Sequence, residues 1–262
     1  MPIPPLGTAI STLPATLSSP GLYVLTADLS FAAPTGVAIT INADGVVLDL
    51  NGLTLSGKPA GPASKAVGIL AAAHSDLTIR NGAVTGFYNG VVIEGDTARG
   101  CLIERLLVYD VTYQGIRVEG SGHIVRGNRL VNITGNPDAA SGGNQCSGAI
   151  GAYGAANTIL NNDIVDVYGV TGKHAGFGTG INVNASKQSI VENNRLINRT
   201  FEKNSYGIFI GESTDVLVIH NRIVDRDMAI KYFDASTGAY RDNQTQACAT
   251  PYSGGTDVGG NH

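Results

Sequence analysis

Charge is scarce in this sequence: Asp, Glu, Lys and Arg supply 15% of 262 residues, the net charge is −4, and the basic residues form no run. Phosphate recognition needs clustered Lys and Arg, so nucleic acid is not an expected partner. No apolar stretch reaches the length of a membrane span, so none is expected. The first 20 residues lack the basic start and unbroken apolar segment of a signal peptide. The expectation is a chain that is not exported by that route, or one that begins after the cleavage point. Cysteine is also rare. Cys101, Cys146 and Cys248 are an odd count, which leaves open three free thiols or one disulfide plus a free thiol. Cys101 falls at a strand position that should face the core, where Cys behaves as a small hydrophobe. No Cys/His spacing suits zinc, and there is no Met-rich or His-rich tract. Between residues 63 and 250 the one proline is Pro137. That scarcity is what a hydrogen-bonded ladder of strands requires, since proline cannot donate to it. Helical periodicity over ten or more residues is absent as well, and alternation with period 2 dominates.

What is abundant is glycine, at 35 residues, and apolar residues, at 43%. The first suits many tight corners and the second provides a core. The glycines mark a repeat. Copies start at Gly68, Gly90, Gly115, Gly148, Gly180, Gly207 and Ala229. Each copy reads as three short strands, with a corner before the third that carries Asn128, Asn162, Asn194, Asn221 and Asn243. Gly82 and Leu106 hold that corner in the first two full copies. Strands this short must find ladder partners in the next copy, so the copies are expected to stack in parallel around one long core. The interior of the first strand is expected to be Ile69, Val91, Ile116, Ala149, Ile181, Ile208 and Ile230. The corner Asn residues are expected to form a stacked amide ladder, with Asn adopting the left-handed turn conformation. The expected division is a cap or lead-in over 1–36, the solenoid over 37–245, and a tail over 246–262 that leaves the solenoid as a coil.

The motif Val47-Leu48-Asp49-Leu50-Asn51-Gly52, the Gly-Ile starts and the Asn-Asn or Gly-Asn corners resemble the right-handed parallel β-helix of the pectate-lyase-like superfamily, with repeats of the NosD and mannuronan-epimerase type. The resemblance covers roughly 37–245 and implies an all-β fold. This fold hosts many functions. The catalytic signatures of polygalacturonases, epimerases and classical pectate lyases are not matched residue by residue. No motif marks a calcium site, so dependence on calcium is left open, and the NosD resemblance transfers no copper role. Enzymes of the superfamily usually act on a sugar chain in a groove along one strand column, so a polysaccharide or oligosaccharide is the implied partner. The implied location is extracellular, periplasmic or on a virion surface.

The outward positions of the first strand are expected to be Leu70, Val92, Arg117, Ile150, Asn182, Phe209 and Lys231. Two residues further on come Ala72, Glu94, Glu119, Ala152, Asn184, Gly211 and Phe233. Longer repeats insert loops at 134–147, 168–179 and 198–206, which should wall this strip on one edge, where function tends to sit. Sugar-bond chemistry needs a cation and a base for uronate elimination, or two carboxylates for hydrolysis. The candidate catalytic residues are therefore Arg117, Glu119, Lys231, His174 and Glu94. The candidate substrate-binding residues are Asn182, Asn184, Lys173, Arg199, Phe209, Tyr206 and Tyr232, and no metal ligands are assigned. Against this, Glu94, Arg117 and Glu119 read more readily as cross-strand ion pairing on a solvated face than as catalytic groups. The NRT at Asn198 matches a glycosylation pattern. Two functions follow. One is a polysaccharide lyase or related processing enzyme. The other is a non-catalytic, glycan-binding or structural surface or virion component. Its outward Leu70, Val92, Ile150, Phe209 and Phe233 would offer an apolar strip for contact between copies.

Overall fold

A computed structural model describes residues 7–136, 146–170 and 176–262. Its strands fall into three columns. In column 1, ten strands from Ala15–Leu17 to Thr250–Ser253 form one sheet. Columns 2 and 3 form a second sheet, because two strands, Thr78–Thr85 and Leu102–Val111, run across the corner between them. Neighbours in both sheets are parallel and come from successive coils: Ile181 pairs Ile208, Val191 pairs Val218, and Leu196 pairs Ile223. Parallel strands cannot be joined by a tight hairpin, so each coil must travel around the core before it reaches its partner. The result is a parallel β-helix. No α-helix occurs among the described residues, and Lys58–Ala60 is a single 3₁₀ turn.

The core is a bundle of stacked aliphatic columns. Ile69, Val91, Ile116, Ile150, Ile181, Ile208 and Ile230 are fully buried in column 1, and Val125, Ile159 and Val191 face them from column 2. One register differs from the expectation. Ile116 pairs Ile150, Arg117 pairs Gly151 and Glu119 pairs Tyr153, so the copy starts at Ala149 and not at Gly148. Ile150 and Ala152 are therefore core residues, each with no exposed surface, and Gly151 and Tyr153 take the outward places. With side chains alternating at period 2, a slip of one residue exchanges the two faces.

The asparagine corner is the amide ladder. The Oδ1 of Asn194 accepts both the backbone N–H and the Nδ2–H of Asn162, and Asn194 donates in the same way to Asn221. The series runs from Asn128 to Asn261, and Leu106 joins it by donating its backbone N–H to Asn128. The left-handed conformation, however, belongs to the preceding residue: Asn161, Asn193, His220 and Asp242 have φ between 52° and 56°. The ladder Asn can stay inside because its exposed neighbour makes the turn.

Both ends of the solenoid lie further out than the 37–245 expected. Strands between Thr8 and Ser30 already pair with the next coil. Thr250–Ser253 pairs with Met228–Tyr232, and Thr256–Asp257 with Gly238–Arg241, so the tail adds ladder and does not leave as a coil. Ile10, Leu17, Leu25 and Leu29 extend the core at the first end, and at the other Tyr252 stacks on Tyr240 and Asn261 continues the amide ladder. Cys101 and Cys248 are free thiols, and Cys101 is buried as expected.

Candidate functional site

Column 1 places its outward side chains in rows along the helix axis, about 4.8 Å apart from coil to coil. At one end of the strip the rows are aromatic. Phe177 and Tyr206 meet edge to face at 5.4 Å, Tyr206 and Phe209 at 5.2 Å, and Phe209 and Phe233 stack at 5.7 Å. The Lys231 ammonium lies 5.6 Å from the Tyr206 ring centroid and 5.2 Å from that of Phe233. Phe177 and Phe233 are exposed at 39% and 48%, so this file of rings faces solvent.

At the other end the rows are polar. The Tyr153 hydroxyl accepts from Gln114 Nε2 at 3.1 Å and from Asn182 Nδ2 at 3.2 Å. The Arg117 guanidinium sits 5.1 Å from the Tyr153 ring centroid and is ion-paired with Glu119. Burial works to lower the Arg117 pKa, and Glu119 outweighs it, so Arg117 is held above its ordinary value. The other Glu119 oxygen accepts the Gly95 backbone N–H at 3.0 Å. Between the two ends, Gly148, Gly151 and the ring of Tyr153 border a cleft of about 240 Å³ with Phe177, Gln114 and Asn182.

The strip contains Arg117, Glu119, Glu94, Asn182, Asn184, Phe209 and Lys231, with Tyr206 from the end of the 198–206 segment beside them, and it divides the catalytic candidates. Arg117 and Lys231 are four strands apart, about 19 Å at one strand spacing each. They do not form one centre. Tyr232 is not on the strip at all. It is 4% exposed, packs in the core and donates its hydroxyl to Val216 and Ala239 carbonyls, and burial drives its pKa far upward. One place earlier in the strand, Lys231 has the outward position. Arg199 belongs to the wall, where its Nε bonds Asp166 at 2.6 Å and its backbone N–H bonds the same carboxylate. Burial works to raise the Asp166 carboxyl, but the bonds from Arg199 and Tyr168 outweigh it and hold it below its ordinary value. Lys173 and His174 lie outside the described residues. Asn198 is fully buried, donating to and accepting from the Val167 backbone, so the glycosylation pattern there is not accessible.

Three residues of the site escape sequence reasoning. Tyr153 is hidden by the register slip. Gln114 stands one place before a Gly-Ile start, and Phe177 lies in a variable segment. The signal for Gln114 was available, since Asn89, Gln114, Thr179 and Tyr206 occupy equivalent places in their coils. Beneath the wall, Glu202 accepts backbone N–H groups from Gly169 and Gly178, and burial pushes its carboxyl up. Arg226 is fully buried and pushed down to about 10 by burial, with one bond to the Val167 carbonyl. Among the described residues no three of His, Cys, Asp or Glu converge as a metal would need.

No curated protein matches the sequence. Solved structures similar to the fold include pectate lyase Pel9A, at 12% identity and TM-score 0.56, covering 90% of this chain and 70% of that one. The Dettilon tailspike protein matches at 16% and 0.54, covering 97% and 56%. The enzymatically active domain of bacteriophage CBA120 tailspike protein 2 matches at 14% and 0.52, covering 93% of this chain and 38% of that one. The chain thus spans little more than half of one tailspike structure and less than half of the other. At such identities the likeness concerns the fold alone, a right-handed parallel β-helix of pectate-lyase-like type. The family model described as periplasmic copper-binding protein (NosD) matches residues 33–262, and the chain belongs to that family.

Proposed function

We propose that this protein is a carbohydrate-active β-helix protein that holds an extended glycan along the outward face of column 1. The observation that carries the reading is the file of four rings, Phe177, Tyr206, Phe209 and Phe233, continuing into the Tyr153–Gln114–Asn182 cluster on the same face. Ring faces take the apolar faces of sugars, and amides and hydroxyls take their edges. The structures similar in fold include a pectate lyase and two tailspikes, which agrees with this class of ligand. The family's description supports a periplasmic location. Among the described residues no helix is long and apolar enough to cross a membrane.

The described residues do not fit copper. The chain has two methionines, of which Met228 is described, and no cluster of His, Cys, Asp or Glu stands ready among the described residues. Soft sulfur and imidazole ligands are what copper selects, and no step is assigned to it here.

Cleavage by a lyase or hydrolase is the second reading. It is favoured by the meeting of Arg117, Glu119 and Tyr153 at one place on the strip. Elimination needs a cation for the uronate carboxylate and a base beside it, and here the cation is already engaged by Glu119. The test for the main reading is calorimetry against a panel of neutral and anionic oligosaccharides. Wild type should bind at least one class, and Phe209→Ala with Phe233→Ala should weaken it about tenfold, or roughly 1.4 kcal/mol for the lost stacking. A folded protein that binds nothing in the panel sinks the reading. New absorbance of unsaturated uronates on incubation would establish the lyase; new reducing ends without it would point to Glu94 and Glu119.

A further inference from the structure

We propose that the cleft over Gly148 and Gly151 is a subsite for the hydroxyl groups of a neutral sugar, which makes a neutral glycan the ligand rather than a polyuronate. This rests on the glycan-binding reading above and narrows it. Gln114 is 4% exposed, and its Oε1 has no partner; the Oδ1 of Asn182 has none either. Both residues line the cleft, and both direct their amide N–H groups at the Tyr153 hydroxyl. That hydroxyl accepts twice and so keeps its own proton for an outside acceptor. Beside the cleft stand two carbonyl oxygens that lack donors, both closed to solvent in this arrangement, and one O–H that can donate. A sugar hydroxyl is donor and acceptor at once and satisfies this set. A carboxylate is acceptor only and would add charge beside two unpaired carbonyl oxygens.

The space agrees with this use. A side chain at Gly148 would meet nothing nearer than the Thr179 carbonyl at 3.9 Å. At Gly151 a side chain would already meet the Tyr153 ring at 3.0 Å and Gln114 Nε2 at 3.3 Å, so the open space lies over Gly148, bordered by Phe177, the first ring of the aromatic file.

Charge points the same way. The ionisable residues of the strip named above are Arg117 and Lys231 against Glu94 and Glu119, two cations and two anions, on a chain of net charge −4. A groove that gathers polyuronates needs a positive field. The four named residues supply no excess positive charge, and Arg117 is paired within the strip.

The experiment is calorimetry at low salt with paired oligosaccharides of equal length, a neutral one and its uronate counterpart. It uses wild type, Gln114→Leu, Asn182→Leu, Asn182→Asp and the Phe209→Ala, Phe233→Ala double variant. Wild type should prefer the neutral member about tenfold. Each leucine variant should lose roughly tenfold for the neutral ligand, whereas the double phenylalanine variant should weaken both ligands alike. Asn182→Asp removes the N–H that the Tyr153 hydroxyl accepts and draws its proton inward, so it should lose roughly tenfold for the neutral ligand and more for the uronate. Uronates bound as well as neutral sugars, or leucine variants that bind like wild type, would overturn this inference and leave the glycan strip standing. Failure of wild type to bind either member would overturn both.

Discussion

Asn194 is a polar side chain where the alternation of the sequence calls for an apolar one, and it is only 2% exposed. It stays there because every polar atom is used: Oδ1 takes two donors from Asn162, and Nδ2 reaches the Ile159 carbonyl and Asn221. Asn194→Leu would leave the Asn162 backbone N–H unpartnered, cut its Nδ2 to the bond with the Val125 carbonyl and strip the Ile159 carbonyl of the Asn194 amide, and each group so left costs about 1–3 kcal/mol. The expected loss is on the order of 3 kcal/mol in urea unfolding. Asn193 beside it is exposed and bent to φ 52°. Asn193→Ala should cost only about 1 kcal/mol, the strain of a left-handed alanine. A larger loss at 193 than at 194 would refute the ladder as the stabilising element.

His123 plays a related part in the adjoining turn. Its Nδ1 accepts the Cys101 backbone N–H at 3.2 Å and its Nε2 faces the Glu119 carbonyl at 2.8 Å. The proton therefore sits on Nε2, and a second proton on Nδ1 would break the bond from Cys101. Burial holds His123 below the ordinary imidazole value. The folded state then binds fewer protons than the unfolded one below about pH 6.5, so stability should fall as pH falls through that window. Asn157 holds the equivalent place one coil on, accepting the His123 N–H at 3.0 Å. His123→Asn should fold and should flatten the loss of stability between pH 7 and 5. An unchanged slope would place the titration elsewhere.

At the scale of elements, the strand Ser147–Ala155 is where sequence and structure part. The Gly-Ile starts reveal six of the seven coils correctly, because space in that column is short and five of the seven coils fill it with glycine, the other two with alanine. A side chain at Gly115 would come within 2.7 Å of the Ala149 carbonyl oxygen and of Leu130 Cδ2. In Ser147–Ala155 the column position is Ala149, and a second glycine stands just before it, so the glycine rule selects the wrong residue. Nothing in the local pattern corrects it: Ile150 and Ala152 are as apolar as any outward pair. Only pairing with Gln114–Glu119 settles the register. Gly148→Ala should consequently be tolerated within about 0.5 kcal/mol, as for a surface change. Gly115→Ala should cost about 2 kcal/mol, as for overpacking in a core. Equal losses in thermal unfolding would restore the slipped register. The tail is the other illegible element: its ladder uses backbone groups that every residue owns, and the side chains that anchor it, Tyr252 on Tyr240 and Asn261 on Asn243, follow no Gly-Ile start.

At the scale of the whole molecule, each coil bonds the coil before and the coil after it, and the core is one continuous stack. The sequence reveals this architecture well because the stack repeats the same constraint many times. It reveals the site poorly because the strip obeys no such constraint, and Tyr153 and Gln114 matter only through each other. A molecule built by neighbour contacts should also open by them. In hydrogen exchange, amides of Thr158–Leu160 and Ile190–Glu192, with a coil on both sides, should exchange more slowly than those of Thr8–Ile10 and Thr256–Asp257, which each end a column. Asn194→Leu then becomes a probe of range. It removes bonds to Asn162 and Asn221, in the two adjacent coils. Faster exchange should be confined to the strands around 158–224, with Val46–Asp49 and Val67–Ala72 close to wild type. A uniform rise along the chain would mean that the stack unfolds as one unit, so that a missing amide in one coil weakens every coil equally.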